Sequence, residues 1–336
     1  MDSLRAAVIG LGIGRRHIQA YQALPGVEVA AVVDADSSAL INAQREFGIA
    51  HGFTDYRQLL ERADIDLVSI CTPDRLHAEQ ALAALEAGKH VLCEKPLATR
   101  SEDAAAIVHK ARVTGRTFMV CHNYRFMPQF AQLRQLAQAG EVGELFYAGS
   151  SYIQDLYFME ALGPDYWRLK DPQDFYLGGA IHNVDLLRWV MGEIVEVHAY
   201  ATHVMPFYPI DDNYVTNVRF ANGRIGQLLL ILGARLKDKF LVELGVYGAE
   251  GALKATLQQP AVILNRNRAP GDQPQTIATP SANGHEQAIA HFVECVRRGE
   301  EPAITAVDGA RAVAVCEAAI RSAREGKPVH VEPIPA

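Results

Sequence analysis

At 336 residues the chain is long enough for two domains of roughly 150 residues, with cores that need no disulfide or metal staples. It is 49% hydrophobic and 21% charged, an ordinary globular composition. Its 32 Lys and Arg against 39 Asp and Glu leave a net charge of −7, which excludes the basic footprint of a nucleic-acid or anionic-lipid binder.

The five cysteines, Cys71, Cys93, Cys121, Cys295 and Cys316, are odd in number and form no C-x-x-C pair, so they read as free, buried thiols of a reducing compartment. The sequence runs from Met1 almost directly into a strand, and no apolar run is long enough to span a bilayer. A cytoplasmic protein with no membrane partner is expected.

In chain order, short apolar runs at Arg5–Ile9, Val27–Val33, Leu67–Cys71, His90–Cys93 and Thr117–Cys121 read as strands buried on both faces. Segments of helical periodicity, Arg16–Leu24, Ser38–Phe47, Leu76–Ala87 and Glu102–Thr114, lie between them. Gly88 and Gly115 sit just past two of these helices, where a left-handed C-terminal cap is wanted. This alternation predicts a doubly wound parallel sheet over residues 1–122.

From residue 123 to 336 the rhythm changes. A helix at Gln129–Ala139 leads into long strands at Glu144–Gln154, Glu193–His203, Tyr214–Phe220, Arg224–Leu232 and Phe240–Tyr247, with Asn222-Gly223 as a hairpin turn. A second, mostly antiparallel open sheet is expected, making this an α+β domain. Asn265–Gly284, with three prolines, reads as a surface loop, and helices at His285–Arg298 and Val307–Arg324 close the chain.

The first strand runs into Gly10-Leu11-Gly12-Ile13-Gly14, a turn that lets backbone approach a pyrophosphate at the start of a helix. The spacing is one residue shorter than the usual G-x-G-x-x-G. Asp34 ends the second strand, where a carboxylate accepts from ribose hydroxyls and repels a 2′-phosphate, so NAD is favoured over NADP. Thr72 and Pro73 are placed to shape the next nucleotide loop. His77, at its foot, is grouped with the cofactor residues but expected to cap or pack locally. His203 and the pair Asp211-Asp212 lack ligand spacing, and no metal site is expected.

Together with these features, Glu94-Lys95-Pro96 resembles the glucose–fructose oxidoreductase/inositol dehydrogenase family (Gfo/Idh/MocA), and the resemblance covers nearly the whole chain. His122-Asn123-Tyr124-Arg125-Phe126 is similar to the entry into that family's second domain. Trp167–Pro172, Gly178-Gly179 and His182–Leu186 are similar to its substrate motif. The resemblance implies a Rossmann domain followed by a substrate-binding and oligomerisation domain, forming homodimers or homotetramers through the open sheet. It also implies NAD-dependent hydride transfer at a secondary hydroxyl of a sugar, cyclitol or sugar derivative.

By the same resemblance Lys95 and His182 share the proton relay, and Glu94 and Lys95 complete the cofactor set. A histidine suits proton transfer near neutral pH. Asn123, Asp155, Trp167, Arg168, His182 and Asp185 are the expected substrate contacts. Many members carry an aspartate four residues before the histidine, where this chain has Gly178, so Asp185, Asp174 or Asp155 is expected to orient His182 instead. Two other functions stay open: a redox-neutral, NAD-dependent glycoside-cleaving enzyme, and a non-catalytic NAD-binding sensor, against which the presence of both Lys95 and His182 argues.

Overall fold

Ala6, Ala7 and Val8 have no solvent-exposed surface, so the first strand must be covered on both faces. In the computed structural model, which describes residues 3–237, 240–267 and 269–334, the chain forms two compact units. One contains the described residues of 3–123 and 284–313 together with Ile334; the other contains the described residues of 124–283 and 314–333.

In the first unit the order is β1 (Leu4–Ile9), α1 (Gly14–Gln22), β2 (Val27–Val33), α2 (Ser37–Phe47), β3 (His51–Phe53) and α3 (Tyr56–Leu60). It continues with β4 (Leu67–Ile70), α4 (His77–Glu86), β5 (His90–Cys93), α5 (Ser101–Thr114) and β6 (Phe118–Val120). The strands pair in parallel in the order β3-β2-β1-β4-β5-β6. This is the Rossmann arrangement, and the order reverses between β1 and β4, where nucleotides bind beyond the carboxyl ends of the strands. Gly88 and Gly115 hold the left-handed positions expected of them. β3 and α3, at three and five residues, are too short to leave a periodic signal in the sequence.

In the second unit α6 (Pro128–Gln138) precedes β7 (Leu145–Gln154), α7 (Phe158–Leu162), α8 (Trp167–Lys170) and α9 (Ile181–Met191). Then come β8 (Ile194–Thr202), β9 (Asn213–Phe220), β10 (Ile225–Ile231), β11 (Phe240–Gly248), β12 (Gly251–Thr256), β13 (Ala261–Arg266) and β14 (Gln275–Ala278). After α10 (His285–Arg298) in the first unit, α11 (Ala306–Glu325) divides between the units at residues 313 and 314, and β15 (Val329–His330) ends the second sheet.

The second sheet has nine strands in the order β14-β13-β12-β11-β7-β10-β9-β8-β15, antiparallel except for the β7–β10 pair. The expectation of a loop over Asn265–Gly284 is corrected, because β14 lies inside it and pairs with β13 (Val262 opposite Ile277). It is an edge strand with no buried face, so it carries no alternation to read.

β8, β9 and β10 bury alternate residues and expose the others. Across the exposed face Tyr147 stands opposite both Tyr247 and Ile225, and Tyr200 opposite Val215. Tyr200, Ile225 and Tyr247 are all exposed. This is more apolar surface than a sheet needs to face water.

Candidate active site

The turn after β1 is shaped for a dinucleotide. Gly10 has φ +91°, and a Cβ there would lie 2.6 Å from the Cys71 carbonyl oxygen, so only glycine lets β1 and β4 turn this close together. A Cβ on Gly14 would meet Val8 at 2.8 Å, which makes the third glycine the one that packs α1 onto the sheet. By contrast, nothing lies within 4 Å of a Cβ built on Gly12, leaving open space above the turn. Ile13 caps the start of α1, whose first amides are free of side-chain caps. Asp34 Oδ2 accepts from the Leu11 amide at 2.8 Å and Oδ1 from the Asp36 amide at 2.9 Å, fixing the carboxylate beside the glycine turn. A cradle of backbone with an anchored carboxylate next to it fits NAD.

Two further loops leave the same edge of the sheet. Thr72 Oγ1 donates to Gln80 at 2.7 Å, tying the loop after β4 to α4. The loop after β5 carries Glu94, Lys95 and Pro96, with a cis Lys95–Pro96 peptide bond. Glu94 is 5% exposed and ends a buried chain of hydrogen bonds. Tyr21 Oη lies 2.8 Å from Ser69 Oγ, Ser69 Oγ 3.0 Å from His17 Nδ1, and His17 Nε2 3.1 Å from Glu94 Oε1.

Burial would push the Glu94 carboxyl up, but the His17 hydrogen bond and the charges of His17, His285 and Lys95 more than offset it and hold it well below the usual carboxylate range. An ionised Glu94 only accepts, so His17 donates to it through Nε2. His285 stands 3.7 Å from the same Glu94 oxygen. Burial lowers its pKa, favouring the neutral ring. Asn123, expected to face substrate, is 4% exposed with Nδ2 3.2 Å from His285 Nδ1. The ligand atoms of His17, Glu94 and Cys121 lie within 4.8 Å of one another, a group with the chemistry to hold a metal. Hydrogen bonds already engage its nitrogen and oxygen atoms, and burial pushes the Cys121 thiol far up, which disfavours the ligating thiolate.

In the second unit His182 lies in the first turn of α9, 7% exposed, with its ring stacked on Tyr124 (centroids 4.1 Å apart, planes at 15°). The preceding residues Tyr176–Ala180 form a π-helical turn, a wider coil often found at functional positions. Gly178 and Gly179 lie in that turn, and a Cβ on Gly179 would press on the Tyr152 ring at 3.0 Å.

Each of the three aspartates expected to orient His182 holds other partners. Asp185 is 1% exposed and accepts both hydrogen bonds of a bidentate pair from Arg125, at 2.8 and 2.6 Å. Asp174 accepts from the Tyr176 amide and the Tyr214 hydroxyl, at 2.9 and 2.8 Å, and so starts the π-turn. Burial pushes its carboxyl up. Asp155 accepts from the Tyr157 and Leu236 amides, at 3.0 and 3.3 Å, and orders a loop. The Arg168 guanidinium lies 4.1 Å from the Trp167 ring centroid and 5.2 Å from that of Phe175, which keeps both residues of the expected substrate pair together.

His17, His285 and Tyr124 were not singled out in the sequence, although His17 follows Gly14 by one helical turn and Tyr124 lies within the family segment.

The fold and these residues define a class. Residues 4–122 match the NAD-binding Rossmann domain of the Gfo/Idh/MocA oxidoreductase family and residues 134–331 its C-terminal alpha/beta domain. The chain belongs to that family and is an NAD-binding oxidoreductase.

Among its relatives, a levoglucosan dehydrogenase of Pseudarthrobacter phenanthrenivorans is 29% identical over 75% of this chain and 73% of its own. The NAD(+)-dependent scyllo-inositol 2-dehydrogenase of Bacillus subtilis is 29% identical over 98% of this chain and 96% of its own. A solved levoglucosan dehydrogenase in complex with NADH and levoglucosan has the same fold, with TM-score 0.90 at 24% identity over 98% of this chain and 99% of that one. Among the described residues, no helix is long and apolar enough to cross a membrane.

Proposed function

We propose that the enzyme oxidises a secondary ring hydroxyl of a cyclic polyol, an anhydrosugar or a cyclitol, with NAD. The observation that carries this reading is the Glu94–Lys95–Pro96 turn. Its lysine stands on the loop after β5, which leaves the same edge of the sheet as the glycine turn, and its amide donates to the buried Glu94 carboxylate at 3.2 Å. Relatives named for levoglucosan and scyllo-inositol support the substrate class.

Oxidation of a secondary alcohol releases a hydride from carbon and a proton from oxygen. Bound NAD supplies the hydride acceptor. Lys95 Nζ orients the hydroxyl oxygen, and the His182 imidazole, held flat against Tyr124, takes the proton. Trp167 and Arg168 offer an apolar face and a hydrogen-bonding fork to a polyol ring. The apolar face of the nine-stranded sheet is read as the contact with a second copy of the chain, giving a homodimer or a tetramer built from two. The redox-neutral alternative stays attached to Gly178, where the aspartate common in the family is missing.

The test is nicotinamide absorbance with NAD and NADP against levoglucosan, inositols, aldoses and glycosides, repeated with Lys95→Ala and His182→Asn. Growth of the reduced form with NAD on a cyclic polyol, lost by about a hundredfold or more in either variant, is expected. Full turnover by Lys95→Ala overturns the assignment. Glycoside cleavage with no net absorbance change selects the redox-neutral reading.

A further inference from the structure

The loops after β4 and β5 must both be held still if Lys95 is to meet a substrate beside the nucleotide. His77, the first residue of α4, has no exposed surface and touches both. Its Nδ1 lies 2.6 Å from the Pro96 carbonyl oxygen and its Nε2 2.8 Å from the Thr72 carbonyl oxygen.

A carbonyl oxygen can only accept. A neutral imidazole carries one N–H and one lone pair, so it satisfies one of these contacts and sets a lone pair against the oxygen of the other. Both distances are those of real hydrogen bonds, and the two are made together only if both nitrogens donate. Asp74, on the turn just before His77 and 5% exposed, supplies a buried carboxylate in the same segment. A charge buried this deeply is tolerated only where its donors are all used, and here they are.

We propose that His77 is a positioning residue: a standing imidazolium that ties the Thr72 carbonyl to the Pro96 carbonyl and thereby fixes the peptide that presents Lys95. The proposal rests on the reading of Lys95 as the substrate lysine.

His17, on the other side of the same turn, is the internal contrast. Its Nδ1 faces a hydroxyl, which can donate, and its Nε2 faces Glu94, so one ring proton satisfies it. One ring proton is enough for the contacts of His17, whereas those of His77 need two.

Long-range proton–nitrogen correlation spectra of the 15N-labelled full-length protein at neutral pH read this directly, with His77 assigned from the wild-type backbone so that no variant has to fold. Expected are two protonated nitrogens on His77 and a protonated Nε2 on His17. A bare nitrogen on His77 overturns the proposal.

The functional half is read on His77→Gln, which keeps one amide donor and sets an oxygen against the second carbonyl. Its kcat is expected to fall about tenfold to a hundredfold, the cost of misplacing a reacting group by a fraction of an ångström to an ångström, with NAD affinity by nucleotide fluorescence unchanged. Loss of NAD affinity with kcat retained would make His77 a support of the nucleotide loop alone and overturn the positioning role. If the wild-type enzyme turns over no polyol, the reading of Lys95 has failed, and the nitrogen spectrum still decides the charge on His77.

Discussion

Replacing Asp185 by Asn separates a structural carboxylate from a catalytic one. Asp185 lies three residues after His182, close enough in sequence to orient it, yet its two oxygens receive the Nε and Nη2 protons of Arg125. Asp185 is 1% exposed and Arg125 8%, so water cannot compensate either charge. Removing one partner of such a pair costs about 3–5 kcal/mol, because the other is left charged and buried. For a unit of this size each kcal/mol moves the melting temperature by about 2–4 °C, so Asp185→Asn should melt roughly 6–20 °C lower.

The exposed Arg298–Glu294 pair on α10 is the control. Their side chains are 60% and 44% exposed, and Glu294→Gln should cost less than about 1 kcal/mol. Arg125→Met combined with Asp185→Leu should recover most of the loss, since an apolar pair of similar volume replaces both buried charges. Calorimetric melting and steady-state kinetics on the same preparations decide the matter. If Asp185→Asn melts like the wild type while kcat collapses, Asp185 acts on His182 and the structural assignment is refuted.

Asp34→Ser removes the carboxylate that accepts from the Leu11 amide and would meet ribose hydroxyls. NAD should bind about tenfold to a hundredfold more weakly, from one or two lost charge-assisted hydrogen bonds, while NADP gains relative to NAD; an unchanged preference in paired titrations would remove Asp34 from the cofactor site. Glu94→Gln tests the buried carboxylate through its pH dependence. Because the folded-state value is depressed, its stabilisation is present above the ordinary carboxylate range and is lost as pH falls through the depressed value. Urea melts should show a gap of about 1–3 kcal/mol between wild type and variant near pH 7 that closes in acid, and a gap independent of pH would contradict the ionised Glu94. Gly179→Ala drives a methyl against the Tyr152 ring, which is pinned edge-on by Phe240 at 5.1 Å. It should cost about 1–3 kcal/mol and raise KM or lower kcat through the displaced π-turn, whereas wild-type stability and kinetics would mean that the turn yields freely.

What could be read in the sequence divides by the range of the forces involved. Strand burial, helix period and glycine caps are written in residues close together along the chain, and the Rossmann half was legible for that reason. Gly10, Gly14 and Asp34 also announce themselves locally, since a tight turn and a strand-end carboxylate need no distant partner to be recognised.

The pairings that decide what each polar group does are not local. Asp185 meets Arg125 sixty residues away and His17 meets Glu94 seventy-seven residues away, separations over which no spacing rule operates. The sequence therefore offered three aspartates to orient His182, and only the fold shows each engaged elsewhere. Tyr124 stacks flat on the imidazole and so helps to fix its plane. His77 makes the same point from the other direction. A histidine at a helix start reads as a cap until its two nitrogens are seen to face two carbonyls, and an acceptor on each side is a statement about charge that no single stretch of sequence contains.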